Sequence, residues 1–511
     1  MPLKQCFKAI VWCAALVGAA FAQSSYDEPW RPQFHFTPAK NFMNDPNGMV
    51  FYKGEYHLFY QYNPEGNVWG HMSWGHAVST DMLHWKHLPV AIPEVPGKYM
   101  IYSGSVVVDR ENSSGLCKPV QEDKSCLVAI FTAAAKDAAG KEHQDQHLAY
   151  SNDRGRTWKE YEGNPVVDLS KPDFRDPKVF WYAPQNKWVM VAVLADERKL
   201  EIFYSKDLKN WKQQSEFGPA GDTEGQWECP DLFELPVQGS DERKWVLVIN
   251  RNPGAPAGGT GTRYLTGSFD GEKFTPDPSS GTLWADYGKD FYATQRFSSM
   301  PPGDTRTVWI GWIGNWQYAN KEPTEIWRGA QSLPRELILQ KVGDRLLLTQ
   351  TPVQETVRLR EKLLLDVSGV SFREANRRIQ PARIEGDTLE IELSFATTSQ
   401  TAELTLRKGA TEKTVVGVSG GIAFVDRTQS GESEFSEDFP GRFSTPKSEQ
   451  PRSLHVFLDR SSVEVFFNNG EYVLTNRIYP SPESRGVQLS SQSPSMRVAR
   501  LRIWKLKSVW K

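Results

Sequence analysis

The chain has 511 residues, a formal net charge of −2 and 24% charged residues. That length exceeds what one ordinary core holds, so two modules are expected. The near-neutral balance offers no field for nucleic acid or an anionic membrane surface.

Residues 1–22 read as a secretory signal peptide. Lys4 and Lys8 precede an apolar run from Ile10 to Phe21, and Ala20-Phe21-Ala22 fits a small-residue cleavage site with the cut after Ala22. The run is too short for a membrane span, and no later segment is long and apolar enough. A secreted protein is therefore expected. Cys6 and Cys13 would leave with the signal, and Cys117 and Cys126 sit close together in a polar loop, leaving Cys229 alone. In an oxidising compartment the loop pair can form a disulfide. Asn112-Ser113-Ser114 on the same loop is a glycosylation sequon.

Short apolar strands then recur, with few helix signals. Five stand out: Tyr56–Tyr60, Leu127–Phe131, Trp188–Ala192, Trp245–Ile249 and Val308–Trp312, at spacings of 71, 61, 57 and 63 residues. Four are followed by a similar turn: Ser79-Thr80-Asp81, Ser151-Asn152-Asp153, Ser205-Lys206-Asp207 and Ser268-Phe269-Asp270, each leading to an aromatic. Ser-x-Asp caps its own turn, and the aromatic can begin the next strand. Repeats of this period suggest the blades of a five-bladed β-propeller over residues 23–340. A polar motif precedes each apolar strand: Asp45-Pro46-Asn47-Gly48, Tyr102-Ser103-Gly104-Ser105, Arg175-Asp176-Pro177, Glu228-Cys229-Pro230-Asp231 and Tyr292-Ala293-Thr294-Gln295. In a propeller the first strand of each blade lines the central channel, so Asp45, Asp176 and Glu228 would meet at one end of it.

After about Gln340 tryptophan becomes rare and period-2 alternation appears, as in Leu389–Leu393, Leu454–Leu458 and Ser462–Phe466. This reads as an antiparallel β-sandwich over residues 366–511, joined by a linker at 341–365. The fold class expected is all-β.

Paired carboxylates at a channel mouth suit glycoside cleavage, one as nucleophile and the other as acid and base. Glu228, between Trp227, Cys229 and Pro230, has apolar neighbours suited to holding a proton. Asp45, beside Asn44 and Asn47, would accept hydrogen bonds that keep it ionised; Asp176, beside Arg175, would stay charged and clamp hydroxyls. The 18 tryptophans also suit flat sugar-stacking platforms. Gly417-Val418-Ser419-Gly420-Gly421 has the form of a nucleophile elbow but lacks a following helix and reads as a turn. His143 and His147 stand four apart in a polar Gln/Asp loop and read as a solvated face rather than a metal pair, and His71, His76, His84 and His87 as packing or sugar hydrogen bonding. No phosphate loop or dinucleotide fingerprint is placed credibly.

Phe42–Gly48, Phe174–Pro177 and Trp227–Asp231 resemble the three signature blocks of glycoside hydrolase family 32, the family of invertases, inulinases, levanases and fructosyltransferases. The resemblance continues through Phe59–Pro64, Trp74-Gly75-His76, Asn315–Tyr318 and Leu333–Glu336 to Leu458–Phe466, nearly the whole mature chain. It implies a propeller with a C-terminal sandwich and a retaining mechanism that uses no metal or cofactor. It implies Asp45 as nucleophile, Glu228 as acid/base and Asp176 as transition-state stabiliser beside Arg175. Asn44, Gln61, Trp69, Tyr102, Ser103 and Trp316 match positions around the sugar pocket. One letter departs: the first block usually opens with Trp, and here it is Phe42.

Within the family, Asn315–Asn320, Gly258–Thr262 and Ser268–Gly271 look most like exo-inulinases and levanases, with invertases second. Release of terminal β-fructosyl units from fructans and sucrose is expected. The alternatives are an invertase acting mainly on sucrose, a fructosyltransferase, an inverting arabinan-cleaving propeller enzyme and a non-catalytic carbohydrate-binding protein.

Overall fold

The five apolar runs each form the second strand of an antiparallel sheet in the computed structural model, which describes residues 26–510 apart from 137–139, 222–223, 279–280, 381–383, 396–400, 450–451 and 494–495. The signal peptide and its cleavage site lie outside the described residues. Each run pairs on one side with a motif-bearing strand: Asn41–Tyr52, Tyr99–Asp109, Phe174–Tyr182, Gln226–Pro236 and Tyr292–Arg296. These five inner strands pack side by side in chain order, and the fifth packs against the first, which closes a ring of five blades. Blade one also takes a short parallel strand, Trp327–Arg328, beside Asn41 and Phe42. That pairing ties the end of the propeller to its beginning.

The Ser-x-Asp turns lie between third and fourth strands. Asp81, Asp153 and Asp207 each accept from two backbone amides or a neighbouring hydroxyl inside the turn, and Asp270 accepts from the amides of Glu272 and Lys273. Each turn is thus closed by its own side chain rather than by tertiary packing. Trp211 and Phe274 open the fourth strands directly, whereas Trp85 and Trp158 stand one residue before theirs.

The second module stacks a six-stranded sheet on a five-stranded one. Leu389, Ile391 and Leu393 alternate inward with Val456, Val463 and Val465 to form its core. The Gly420-Gly421 pair is the turn after strand Lys413–Ser419. The expected linker is largely sheet: Arg345–Pro352 is the outer strand of blade five, and Arg360–Ser371 is an edge strand of the sandwich. Its Leu346-Leu347-Leu348 run packs in the same apolar cluster as both modules, so the chain passes between them within residues 353–359. The sandwich also holds a helix, Phe372–Ile379, capped by Ser371, whose side chain accepts from the amide of Glu374 at 3.1 Å.

The modules are joined by buried ion pairs. The arm at residues 33–35 enters the sandwich, where Asp459 accepts from the amides of Gln33, Phe34 and His35 at 2.8, 3.0 and 3.3 Å. His35 bridges Asp459 at 2.9 Å and Glu464 at 2.7 Å. Glu464 in turn pairs with Arg335 of blade five, which reaches Asp286 at 3.0 Å. A second set joins Arg427 to Asp290 at 2.6 Å and Arg477 to Glu322 at 3.1 Å. The Asp459–Glu464 stretch of the sandwich motif therefore serves the module interface. No described helix is long and apolar enough to cross a membrane.

Candidate active site

Every inner strand carries a bulge at the same height. Asn44 and Asp45 oppose Gln61 alone; Tyr102 and Ser103 oppose Thr132; Asp176 and Pro177 oppose Ala192; Cys229 and Pro230 oppose Ile249; Ala293 and Thr294 oppose Gly311. A two-against-one bulge breaks the alternation of side chains and re-aims them. In blades one to three these breaks bring Asn44, Asp45, Tyr102, Ser103 and Asp176 to one end of the channel. Pro177 and Pro230 are second members of their bulges, a position suited to a residue with no N–H to give the ladder. Asp176, Cys229 and Ala293 take positive φ of 63°, 43° and 53°, a strain of about 1–3 kcal/mol each that the surrounding sheets hold in place. Gly48 has φ +52°, and a Cβ there would lie 2.6 Å from Val106 and 2.8 Å from Phe59. That crowding requires the glycine that ends the first motif.

The result is a cavity of about 420 Å³. All ten pocket residues expected from the sequence line it: Asn44, Asp45, Gln61, Trp69, Tyr102, Ser103, Arg175, Asp176, Glu228 and Trp316. So do five that sequence reasoning missed: Glu142, Gln144, Gln226, Asn252 and Asn320. Glu142 and Gln144 come from the third strand of blade two, Glu142–Ser151, which the sequence reading left as part of a polar loop. Its strict alternation of polar types from Glu142 to His147 was the available signal. The cavity is blind. Below the bulges the buried Lys178 ammonium donates to Gln295 at 2.7 Å and to the Arg296 carbonyl at 2.9 Å, and lies 3.3 Å from Asp231. These groups fill the channel.

Asp45 is nine-tenths buried and accepts from Asn44 Nδ2 at 2.9 Å and Ser103 Oγ at 2.8 Å. Asn47 turns away: its amide donates to the Asp45 carbonyl at 3.4 Å and accepts from the Gly104 amide at 3.2 Å. Burial, then the negative charge of Glu228, pushes the Asp45 carboxyl up to about 7, against the hydrogen bond from Ser103. Asp176 accepts from the Cys229 amide at 2.8 Å. Burial raises it to about 6, Arg175 opposing and Glu228 adding. The expectation that neighbouring donors would keep both carboxyls in their usual range is thus corrected: three acids in one desolvated cavity outweigh them. Glu228 accepts from Arg175 Nη2 at 3.0 Å and from the buried Tyr292 hydroxyl. Tyr292 lies within a quoted motif and was not singled out.

Phe42 and Met43 do not wall the cavity. Phe42 is fully buried beneath Trp316, and Met43 faces the core of blade one. His57 and His76 are buried against each other at 3.0 Å, His84 pairs with Asp81, His71 with Glu94, and none lines the cavity. Cys117 and Cys126 are disulfide-bonded with Cα atoms 5.2 Å apart. The Asn112 side chain is engaged with the Cys117 backbone, accepting at 2.9 Å and donating at 3.2 Å.

A five-bladed propeller with an acid-lined blind cavity, backed by a sandwich, is the architecture of a glycoside hydrolase. The model of the glycosyl hydrolases family 32 N-terminal domain matches residues 35–352, and that of the family 32 C-terminal domain matches residues 355–505. The chain belongs to glycoside hydrolase family 32. It is 44% identical to a levanase of Bacillus subtilis, over 99% of this chain and 76% of that protein. It is 39% identical to an extracellular exo-inulinase of Aspergillus awamori, over 97% and 98%. The crystal structure of exo-inulinase from Aspergillus awamori superposes with a TM-score of 0.86 at 38% identity, covering 95% of this chain and 100% of that one.

Proposed function

We propose that the protein is a secreted exo-acting β-fructosidase that removes terminal fructosyl units from fructans, and cleaves sucrose, with retention. A blind cavity holding three acids supports this reading most strongly. A channel plugged by Lys178, Asp231 and Gln295 admits a chain end and has no exit for a chain passing through. The relatives named as levanase and exo-inulinase act in the same sense.

In this mechanism Asp45 attacks the anomeric carbon of the terminal fructosyl unit while Glu228 gives its proton to the leaving oxygen. The glycosidic C–O bond breaks as the bond to Asp45 forms. Water then attacks the fructosyl-enzyme, Glu228 takes its proton, and Asp45 leaves as carboxylate. A raised carboxyl makes Asp45 a more basic nucleophile once ionised. Asp176 and Arg175 hold ring hydroxyls, and the Asp176 carboxylate faces the positive charge that develops at the transition state. Asn44 and Ser103 fix the Asp45 carboxylate, and Trp69, Tyr102 and Trp316 supply apolar faces to the sugar.

Product profiles on sucrose, inulin and levan side by side test the reading. Free fructose is the expected early product from all three. Fructo-oligosaccharides as the main early product would defeat exo-hydrolysis, and first release of the inverted anomer would defeat retention.

A further inference from the structure

The strand Glu142–Ser151 alternates, with Glu142 and Gln144 lining the active cavity. Its opposite face carries His143, Asp145 and His147 in succession. Asp168 joins them from the loop that follows blade two. The loop is held in place by backbone pairing of Gln146 with Val166 and Val167: Gln146 N to Val167 O at 2.8 Å and Val166 N to Gln146 O at 2.8 Å.

His143 Nε2 stands between two carboxylate oxygens, 3.4 Å from Asp145 Oδ2 and 3.5 Å from Asp168 Oδ1. The three ligand atoms all lie within 4.8 Å of one another. Both imidazole separations are longer than a charge-assisted hydrogen bond, which falls near 2.7–2.9 Å. Several other histidine–carboxylate pairs of this protein lie in or near that range, 2.7 Å for His71 with Glu94, 2.9 Å for His84 with Asp81 and 2.8 Å for His455 with Glu390, whereas the exposed contact of His71 with Glu65 is longer at 3.8 Å. A tetrahedron with bonds of about 2.0–2.2 Å to nitrogen and oxygen, the lengths zinc takes, has edges of about 3.3–3.6 Å. The two spacings fit such edges.

The supporting groups fit too. The other oxygen of Asp145 receives His147 Nε2 at 3.0 Å, and Asp168 Oδ1 also accepts from the Ser170 amide at 2.6 Å. Both carboxylates are thereby oriented, as outer partners of metal ligands commonly are. His143 and Asp168 are about one-third exposed, so an ion can enter and water can complete the shell. A comparable cluster in the sandwich, Glu390, Glu392 and His455, already holds the guanidiniums of Arg360 and Arg502.

We propose that His143, Asp145 and Asp168 form a binding site for a zinc-class divalent ion. It is separate from the sugar cavity and lies on the reverse face of a strand that lines it. The ion takes no part in glycoside cleavage; it ties the loop bearing Asp168 to that strand. Imidazole with two carboxylates favours zinc, cobalt or nickel over magnesium.

Calorimetric titration of the full-length protein with ZnCl2, and separately with MgCl2, tests the site. Saturable uptake of one zinc ion with no matching magnesium uptake is expected, with a melting temperature raised by about 2 °C or more at saturation. His143→Ala and Asp168→Asn, each first shown to melt like the wild type without metal, are expected to weaken uptake at least tenfold. Asp145→Asn serves in place of either one that fails that control. His71→Ala, which removes the exposed histidine beside Glu65 and Glu94, is expected to bind as the wild type does. Absence of saturable zinc uptake, uptake unchanged in the site variants, or its loss in His71→Ala would each overturn the proposal.

Discussion

Phe42 lies directly beneath Trp316, with ring centroids 6.2 Å apart and planes 26° from parallel. Trp316 faces the sugar cavity; Phe42 is sealed from solvent and backs it. The buried ring therefore sets the height of the exposed one. Phe42→Ala is expected to cost about 3–5 kcal/mol of stability, as a buried phenyl truncation does. It should also raise KM severalfold while changing kcat less. Melting curves and steady-state kinetics check this. A lowered melting temperature with KM untouched would reduce Phe42 to packing alone.

Asp45→Asn separates catalysis from folding. Activity should fall by about 10⁴-fold or more, since the proposed nucleophile is gone. The stability effect has the opposite sign. The Asp45 carboxyl is raised from 3.8 to about 7 in the fold, so the native state binds that proton more tightly than the unfolded chain. Stability carried by this group is present at low pH and falls as pH rises from about 4 to 7. The asparagine variant should thus melt higher than the wild type at pH 8, by about 1–3 kcal/mol in stability, with the difference closing near pH 4. A lower melting temperature at pH 8 would show that the carboxylate is not strained.

Tyr292 is fully buried and donates its hydroxyl to Glu228. It acts as a positioning residue: it restricts where the Glu228 carboxyl can point. Tyr292→Phe removes one buried hydrogen bond to the Glu228 carboxyl, worth about 1–3 kcal/mol. The corresponding loss in kcat is about tenfold to a hundredfold, with KM within about twofold. A merely structural tyrosine would lower the melting temperature and leave kcat and its pH profile in place.

The module interface has its own pH signature. His35, between Asp459 and Glu464, is raised to about 9, its two carboxylate partners outweighing the cost of burial. Its stabilisation is full below the unfolded value of about 6.5 and is lost as pH rises through about 9. The wild-type melting temperature should decline between pH 7 and 9.5. His35→Gln should melt lower at pH 7, by about 3–5 kcal/mol in stability, because buried Asp459 loses its cation and buried Glu464 keeps only Arg335. Its curve should be flatter over the same pH range; parallel curves would remove His35 as the titrating group.

The ring of blades and its three acids were legible because both are written locally. An apolar run, a self-capped turn and a polar motif recur about every 60 residues, and each part is decided by its own neighbours. Trp69 and Trp316 are reached only through motif resemblance, since nothing local marks them. Glu142 and Gln144 were missed because their facing depends on which blade stands opposite. The leucines at 341–365 carry no turn or motif and so read as linker, yet tertiary packing recruits them to both modules. The helix at Phe372–Ile379 had a local sign, Ser371 followed by Glu374, that strand-rich surroundings obscured. The raised carboxyls were out of reach altogether, since they arise from three acids brought together from 183 residues of chain, Asp45 to Glu228.

The repeated bulge gives the cavity a coordinate system. Blade number fixes the angle around the axis, and the bulge fixes the depth, so the five bulge positions that line the cavity have addresses that do not depend on what occupies them. Side chains at the addresses without positive φ, such as Asn44, Tyr102 and Ser103, can be exchanged without moving the sheets that hold them, because the hydrogen-bond ladder resumes beyond the bulge in every blade. New specificity on this scaffold is therefore a matter of rewriting single letters at known addresses. An insertion into a second strand, which sets the registration, would shift the addresses of its blade together.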